Sequence, residues 1–243
     1  ENERVSPPME AALSALAVPL RLWDYTAAQR VDYFLAGSAN AARRIRKFYR
    51  REAEVLHSPV DAAGMPLGAG PGDYYLVAGR HQPYKRLDLA IAACNRLQRR
   101  LIVTGTGPET ARLKAMAGPT VEFVGHVDRP TLRAIFAGCR ALLWPGEEDY
   151  GIAPVEAQAA GRPVVALARG GALETVRDGV TGVFFQEQTV EALTAAMARA
   201  ESTAFDAARV RQHALQFDTA AFKEKLLATV GRLLTEYRAA LRR

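Results

Sequence analysis

The sequence predicts an α/β protein built on a parallel sheet, and three observations carry this prediction. The chain has 243 residues, 49% of them hydrophobic, so it can bury a sizeable core. From residue 73 onward, short apolar runs alternate with amphipathic stretches, as in parallel strands joined by crossover helices. Glycines such as Gly79 and Gly105 stand where apolar runs end, which marks the turns between strands and helices.

Strands and helices alternate regularly up to about residue 200. The predicted strands are "YYLVAG", "RLIVTG", "VEFVG", "ALLWPG", "PVVALA" and "TGVFF". The predicted helices between them are "RLDLAIAACNRL", "ETARLKAMA", "TLRAIFAGC", "APVEAQAAG" and "GALETVRDG". We therefore predict a Rossmann-like, doubly wound parallel sheet over residues 73–200, followed by C-terminal helices over residues 201–243.

The region before this sheet has a different organisation. The stretches "VDYFLAGS" and "AEVLHSPV" are strand-like, and "NAARRIRKFY" is an amphipathic helix. So few elements do not make an independent α/β domain, and we expect residues 1–60 to be the remnant of a larger first domain. Residues 61–72, rich in Gly and Pro, are predicted to be an interdomain linker. On this interpretation the chain is a fragment of a longer protein.

Charge and composition narrow the classes of partner. The net charge is +6 and the isoelectric point about 9.5, which favours an anionic partner. The basic clusters lack the interleaved aromatic residues on which single-stranded nucleic acid stacks, so we expect no nucleic-acid binding. A membrane surface and a phosphate-bearing small molecule both remain open.

The cysteines and the N-terminal residues predict a cytoplasmic protein. Cys94 and Cys139 stand apart, without the spacing of metal ligands, which fits a reducing compartment and predicts no zinc site. No run approaches the ~20 apolar residues that cross a bilayer, and the polar start lacks the order of a signal peptide.

The loop "PGEEDYGIAPVEAQAAGRP" concentrates carboxylates at a strand end. Taken singly, each acid is best interpreted as a helix cap or a partner of the helix dipole. Taken together, Glu148 and Glu156 lie eight residues apart across a glycine turn and can point into one crevice. Carboxylates accept paired hydroxyls, so the pair predicts a ligand such as a sugar or a ribose. Free amides around Gly151 and Ile152 would add partial positive charge that attracts an anion.

Three further loops follow strands at the same edge of the sheet, where ligands of open α/β sheets bind. The loop "GRHQPYKRLD" supplies Arg80 and Lys85, which can hold a phosphate between them, although ordinary solvated cations are the alternative. The loop "TGTGPE" matches a dinucleotide fingerprint weakly, because the third glycine is missing. Gly170 and Gly171 open a helix whose free amides would hold a second anionic oxygen. Four such loops at one edge predict a binding site.

These motifs resemble the donor-binding half of the retaining glycosyltransferases of family 4, which have the GT-B fold. The resemblance runs in order through "GRHQPYKRLDLAI", "GTGPE", "VEFVGHV", "EEDYGIAPVEAQAAGRPVVA" and "GGALETVRDGVTGVFF". It is close to bacterial mannosyltransferase-like members that build lipopolysaccharide, capsule or other polysaccharides. It covers residues 73 to about 200, and the preceding segment resembles the end of the acceptor domain of that family.

The resemblance implies roles for individual residues. Arg80 and Lys85 match the cations that grip the donor diphosphate, and Glu148 matches the glutamate that faces the transferred sugar; these three are the implied catalytic residues. Glu156 matches the glutamate that holds the ribose hydroxyls, and His81 is expected near the sugar and phosphates. The other implied donor-binding residues are Gly79, Gly105, Gly107, Val124, His126, Tyr150, Gly151, Ile152, Gly170 and Gly171.

The reaction implied by the resemblance is hexose transfer with retention of the anomeric configuration. The expected donor is a nucleotide-diphosphate sugar, GDP-mannose in the first place, and no metal or other cofactor is expected. The expected acceptor is a glycan or lipid-linked saccharide, with peripheral association at the inner face of the plasma membrane. Without the rest of the acceptor domain, the chain is expected to bind nucleotide but to transfer sugar poorly.

Two alternatives stay open at this point. One is a non-catalytic nucleotide-binding or regulatory module, which would bind nucleotide without turnover. The other is a sugar-nucleotide-modifying Rossmann enzyme, such as an epimerase or a nicotinamide-dependent oxidoreductase. The missing third glycine of the fingerprint and the lack of a catalytic Tyr-Lys pair count against this second alternative.

Overall fold

The computed structural model describes residues 6–70 and 72–242 and confirms the predicted α/β fold. Residues 1–5 of the predicted remnant and residue 71 of the predicted linker lie outside the described residues. The elements follow in this order: α1 (Pro7–Ala28), β1 (Phe34–Ala36), α2 (Ala39–Tyr49), β2 (Ala53–Val55), β3 (Tyr74–Ala78), α3 (Leu87–Leu97), β4 (Arg100–Thr104), α4 (Thr110–Met116), β5 (Val121–Gly125), α5 (Arg129–Gly138), β6 (Ala141–Trp144), α6 (Ile152–Ala159), β7 (Val164–Leu167), α7 (Ala172–Thr175), β8 (Gly182–Phe185), α8 (Val190–Ser202), α9 (Ala207–Leu215) and α10 (Thr219–Ala240).

The main sheet has six parallel strands in the order β5-β4-β3-β6-β7-β8. The chain first adds strands on one side of β3 and then crosses over to add β6 on the other side. This order is that of a doubly wound Rossmann sheet, as predicted. The crossover makes β3 and β6 the switch point, where the loops after neighbouring strands diverge and leave a crevice.

Helices cover both faces of this sheet, so its strands are buried on both sides. On β3, Leu76 packs into one core cluster, together with residues of α5, α6 and α9. Its neighbours Tyr75 and Val77 pack into the other, together with residues of α3, α4 and α8. Burial on two faces explains why the strands are continuous apolar runs in the sequence.

The N-terminal segment forms a small unit beside the main sheet. Strands β1 and β2 pair in parallel, and α2 connects them. The segment after β2 is well anchored, since Ala62 and Met65 are buried and the Arg211 guanidinium donates to the Met65 carbonyl at 2.7 Å. Helix α10 returns to this unit through an ion pair between Arg232 and Glu54. The domain limits at residues 60, 72 and 200 stay predictions.

Two long helices expose apolar side chains. Helix α1 has Trp23 at 69% and Leu22 at 67% exposure, and α10 has Leu227 at 75%. Among the helices of residues 6–70 and 72–242, none has the length and apolar character needed to span a membrane.

Candidate active site

A cleft of about 1260 Å³ opens at the switch point, at the C-terminal ends of β3 and β6. The loops that follow β3, β4, β5 and β6 all reach it. The predicted site residues that line it are Gly79, Arg80, Lys85, Gly105, Gly107, His126, Glu148, Tyr150, Gly151, Ile152 and Glu156. The structure therefore brings most of the predicted residues to one place, although they are spread over nearly 80 positions of the sequence.

The two predicted charge types meet inside the cleft. Lys85 ends a short 3-10 turn after β3, and its ammonium forms a salt bridge with the Glu148 carboxylate from the loop after β6. The Lys85 Nζ also lies 5.1 Å from the centroid of the Trp144 ring, within the range of a cation–π contact. Arg80 is exposed at the cleft, and no ion pair of its guanidinium is found within the described part of the chain. Of these two predicted cations, Arg80 is thus solvated and Lys85 is paired.

Glycines let the loops after β3 and β4 approach each other closely. Gly105 has a φ of +90°, and a Cβ there would lie 2.2 Å from the Gly79 carbonyl oxygen. A Cβ on Gly107 would lie 2.5 Å from the His81 carbonyl oxygen. The Gly105 N–H donates to the Gly125 carbonyl at 2.7 Å, which ties in the loop after β5. Only glycine fits where backbones touch in this way, so these residues shape the wall of the cleft.

Helix α6 points its N-terminus into the cleft. Gly151 precedes the helix with a φ of +89°, and no side chain caps the helix. Within residues 6–70 and 72–242, no partner is found for the N–H groups of Ile152 and Ala153, which belong to the unsatisfied donors of a first turn. These amides and the helix dipole favour an anion at this position, as predicted.

Glu156 lies in the second turn of α6, one turn deeper than the sequence suggested. The side chain is half-buried and lines the cleft. Burial raises the pKa of Glu156, and the positive charges of Arg129 and Arg133 oppose this shift. A desolvated carboxylate facing a cleft is well suited to accept hydrogen bonds from hydroxyl groups, because water competes little with them.

Four predicted residues do not line the cleft. Val124 packs against the core instead. The prediction of a free amide is wrong for Gly171, because its N–H donates to the Glu148 carbonyl at 2.8 Å. A Cβ on Gly170 would lie 2.2 Å from the same oxygen, so the glycine pair packs closely against the loop after β6.

His81 is the fourth, and its predicted place beside the sugar and phosphates is wrong. The ring is fully buried, with Nδ1 2.8 Å from the Thr110 hydroxyl and Nε2 3.2 Å from the Thr104 carbonyl oxygen. Burial lowers the pKa of His81, so the neutral ring is favoured. His81 therefore ties the loops after β3 and β4 together.

The N-terminal unit contributes residues that sequence reasoning missed. Asn40 and Arg44 of α2, together with Ser58, also line the cleft. The Asn40 amide donates to Asp149 at 2.7 Å, and the Arg44 guanidinium donates to its other carboxylate oxygen at 2.6 Å. The only sequence signal was the basic character of the helix, which also fits an ordinary solvated surface.

The acidic residues do not assemble into a metal site in the described ranges. Over residues 6–70 and 72–242, no group of three or more His, Cys, Asp or Glu side chains has the geometry to hold a metal ion. Glu148 and Asp149 are instead engaged by the cations Lys85 and Arg44.

The chain is similar to several known proteins and solved structures. At 29% identity, D-inositol 3-phosphate glycosyltransferase of Mycobacterium leprae matches 91% of the chain, which spans 59% of that relative. Anabaena HepE, solved in complex with UDP and glucose, superposes with a TM-score of 0.73 over 83% of this chain and 63% of its own, at 20% identity. Sucrose-phosphate synthase from Thermosynechococcus elongatus superposes with a TM-score of 0.75 over 90% and 62%, at 21% identity.

The chain thus spans about three fifths of the length of the relatives it matches. The similarity of the chain to these two solved structures is a similarity of fold alone. The family model "Glycosyl transferases group 1" matches residues 72–202, more than half of the chain and the whole of the six-stranded sheet. The chain therefore belongs to the group 1 glycosyl transferases, a family of GT-B type.

Proposed function

We propose that the protein transfers a hexose from a nucleotide-diphosphate sugar to a hydroxyl group of an acceptor, with retention of the anomeric configuration. One observation carries the proposal. The cations Arg80 and Lys85, the carboxylates Glu148 and Glu156, and the free amides of α6 meet in a single cleft at the switch point of the sheet. Cations and amides suit the diphosphate of such a donor, and the carboxylates suit its hydroxyl groups.

The diphosphate would lie between the loop after β3 and the N-terminus of α6. Arg80 is free to form paired hydrogen bonds with phosphate oxygens. Lys85 would turn from Glu148 toward the phosphates, and the Ile152 and Ala153 amides would face them from the helix. This arrangement places positive charge on both sides of the leaving group.

The two carboxylates would bind the two polyhydroxylated parts of the donor. Glu148, beside Lys85, is positioned for the transferred sugar. Glu156, in the second turn of α6, would bind the ribose. The loops that contain Gly105, Gly107 and His126 would enclose the nucleoside.

In this reaction the main contribution of the protein is electrostatic stabilisation of the leaving group. The bond between the anomeric carbon and the diphosphate oxygen breaks with its electron pair on oxygen. The acceptor oxygen forms the new bond on the same face, and its proton passes to the departing diphosphate. Arg80 and Lys85 disperse the charge that develops on the leaving group, and loss of either should slow transfer about a hundredfold, or roughly 3 kcal/mol.

The proposal extends to the identity of the donor and of the acceptor. The motif resemblance favours GDP-mannose, whereas the similar Anabaena structure contains UDP, so guanine and uracil are the competing bases. The acceptor is proposed to be a glycan or lipid-linked saccharide. The name of the mycobacterial relative adds a phosphorylated polyol to the acceptors worth testing. We propose a cytoplasmic protein with peripheral association at the inner membrane face, which the positive net charge supports.

Calorimetric titration of the protein with GDP, UDP and ADP tests the donor site directly. We expect one diphosphate to bind in preference to the others, and Arg80→Ala to weaken its binding at least about tenfold. Arg96→Ala is the matched control, because it removes the same charge from the last turn of α3, at the opposite edge of the sheet. Failure of all three nucleotides to bind, or equal effects of the two substitutions, would sink the assignment.

A further inference from the structure

We propose that Glu174 is a positioning residue that connects the N-terminal unit to the acidic loop, defined here as residues 146–151, and so keeps Glu148 in place in the cleft. The inference rests on the proposed function, because Glu148 is taken to face the transferred sugar. Glu174 itself is not among the residues found to line the cleft. It acts through the residues that it holds.

The Glu174 carboxylate binds the start of a helix that lies 135 positions away in the sequence. It accepts the N–H of Ala39 at 2.7 Å and the N–H of Asn40 at 3.0 Å, both in the first turn of α2. The side chain is only 13% exposed. First-turn amides lack intrahelical partners, and a negative charge at a helix N-terminus is favourable.

Helix α2 already has a local cap, which makes the distant carboxylate notable. The Ser38 hydroxyl accepts the Ala41 N–H at 2.9 Å, as an ordinary N-cap does. Glu174 satisfies two further amides that water would otherwise solvate. Its effect is therefore to attach α2 to α7, the helix that contains Glu174.

The same carboxylate also orients a histidine against the acidic loop. His57 Nε2 lies 3.0 Å from Glu174 Oε2. The His57 ring stacks on Tyr150 with the centroids 5.8 Å apart and meets the edge of Phe217 at 5.4 Å. Glu174 thereby places an aromatic ring against a buried residue of the acidic loop.

Three consecutive residues of the acidic loop are held by this assembly. The Glu148 carbonyl accepts the Gly171 N–H, three positions before Glu174. The Asp149 carboxylate accepts from Asn40 and from Arg44. Tyr150 packs on His57. The Glu148 carbonyl is thus held by Gly171, Asp149 is held by α2, and Tyr150 is held by His57.

Removal of the Glu174 carboxylate should loosen both α2 and the acidic loop. The first turn of α2 would lose its attachment, and Asn40 and Arg44 would hold Asp149 less firmly. The His57 ring would lose the partner that orients it. We expect the acidic loop to become mobile, so that Glu148 and the amides of α6 no longer form one preorganised site.

The test compares Glu174→Ala with Asp206→Ala in the same protein. Asp206 caps α9 by accepting the Ala208 and Arg209 N–H groups at 2.9 and 3.3 Å, so its loss removes a similar cap away from the cleft. Hydrogen exchange without nucleotide should become at least about fivefold faster only in Glu174→Ala, at residues 39–42 and at the Gly171 amide, which donates to the Glu148 carbonyl of the acidic loop. Glu174→Gln, which keeps an acceptor oxygen, should fall between this variant and the unchanged protein.

Nucleotide affinity supplies the second readout. The Glu174→Ala variant should bind its preferred diphosphate about tenfold more weakly, because the amides at the start of α6 are then less ordered, and Asp206→Ala should bind it normally. Unchanged exchange at the Gly171 amide of Glu174→Ala would overturn the proposal, as would equal exchange in both variants. If the unchanged protein binds no nucleotide, the proposed function fails, whereas the exchange comparison still decides the role of Glu174.

Discussion

Lys85 and Glu148 form a salt bridge across the switch point of the sheet, with their side chains only 14% and 19% exposed. Lys85 comes from the loop after β3, and Glu148 comes from the loop after β6. In the proposed reaction both residues face the donor, one toward phosphate and the other toward sugar. The salt bridge means that a bound diphosphate must compete with Glu148 for the lysine.

This competition predicts opposite effects of two substitutions on nucleoside diphosphate binding. Lys85→Ala should weaken binding by about tenfold to a hundredfold, the range for a lost hydrogen bond to a charged group. Glu148→Gln should tighten binding a few-fold, because the ammonium is then free for phosphate. Calorimetry on the two variants measures both effects. If both substitutions weaken binding to the same extent, the carboxylate does not compete with the phosphate.

The convergence of charged residues in the cleft could be predicted from the sequence because the topology of the sheet largely determines it. Apolar runs identified the strands, and all strands of a parallel sheet end at the same edge. Residues that directly follow a strand, such as Arg80 and Glu148, therefore had to approach one another. The precise pairing of Lys85 with Glu148 follows from side-chain geometry, which the sequence pattern does not contain.

The remaining contacts of the site depend on partners far away in the sequence. The buried position of His81 is fixed by Thr104 and Thr110, which lie in and after the next strand. The Gly171 amide looks free at a helix start until the Glu148 carbonyl occupies it. Arg44 meets Asp149 across 105 positions. Local patterns predict where a loop lies, but not which polar groups it satisfies.

Metal removal should leave nucleotide binding unchanged. Glu148 and Asp149 are paired with cations, and the described residues contain no ligand cluster for a metal. We expect equal dissociation constants for the preferred diphosphate with excess EDTA and with added Mg²⁺. A dissociation constant that rises about tenfold or more in EDTA would show that a divalent ion shares the diphosphate with the protein.

Gly105→Ala should destabilise the protein by at least about 2 kcal/mol, because it combines an unfavourable backbone conformation with a backbone clash. The φ is +90°, and the new Cβ would lie 2.2 Å from the Gly79 carbonyl oxygen. Gly231→Ala is the matched control, since Gly231 lies within α10 with open space around it. That substitution should stabilise the protein by about 0.5–1 kcal/mol. Urea unfolding of both variants measures the difference, and equal stabilities would contradict the close approach of the two loops.

The buried His81 should make the protein less stable in mild acid. Burial lowers the pKa of His81 below the ordinary value of 6.5, so the unfolded chain takes up a proton more readily than the folded one. Stability is then complete above about pH 6.5 and falls as the pH drops through that value, by at most about 1.4 kcal/mol per pH unit for one such group. His213, whose pKa burial also lowers, adds an effect of the same sign.

Urea unfolding between pH 5.5 and 8 checks this expectation. His81→Gln should lower stability at pH 8 but flatten its fall toward pH 5.5. His126→Gln, at an exposed position of the cleft, should leave the pH profile unchanged. A profile that is equally steep in His81→Gln and in the unchanged protein would assign the loss to other groups.

The raised pKa of Glu156 predicts that this residue favours binding at the expense of stability. Burial is the main cause of the shift, so the folded state holds the proton more tightly than the unfolded chain, whose ordinary value is 4.5. The contribution of Glu156 to stability is therefore complete below about pH 4.5 and is lost as the pH rises through the raised value. Burial thus disfavours the ionised carboxylate in the folded protein, and the positive charges of Arg129 and Arg133 offset this effect only in part.

Glu156→Gln should consequently raise the melting temperature at pH 7, and the gain should disappear near pH 4. The same substitution should weaken nucleotide binding about tenfold, because a neutral amide is a poorer acceptor for ribose hydroxyls than a carboxylate. Glu224→Gln, on the exposed side of α10, should change neither quantity. A lower melting temperature for Glu156→Gln at pH 7 would mean that the two arginines outweigh burial. Tighter or unchanged nucleotide binding would show that the Glu156 carboxylate accepts no hydrogen bond from the nucleotide, and would remove Glu156 from the donor site.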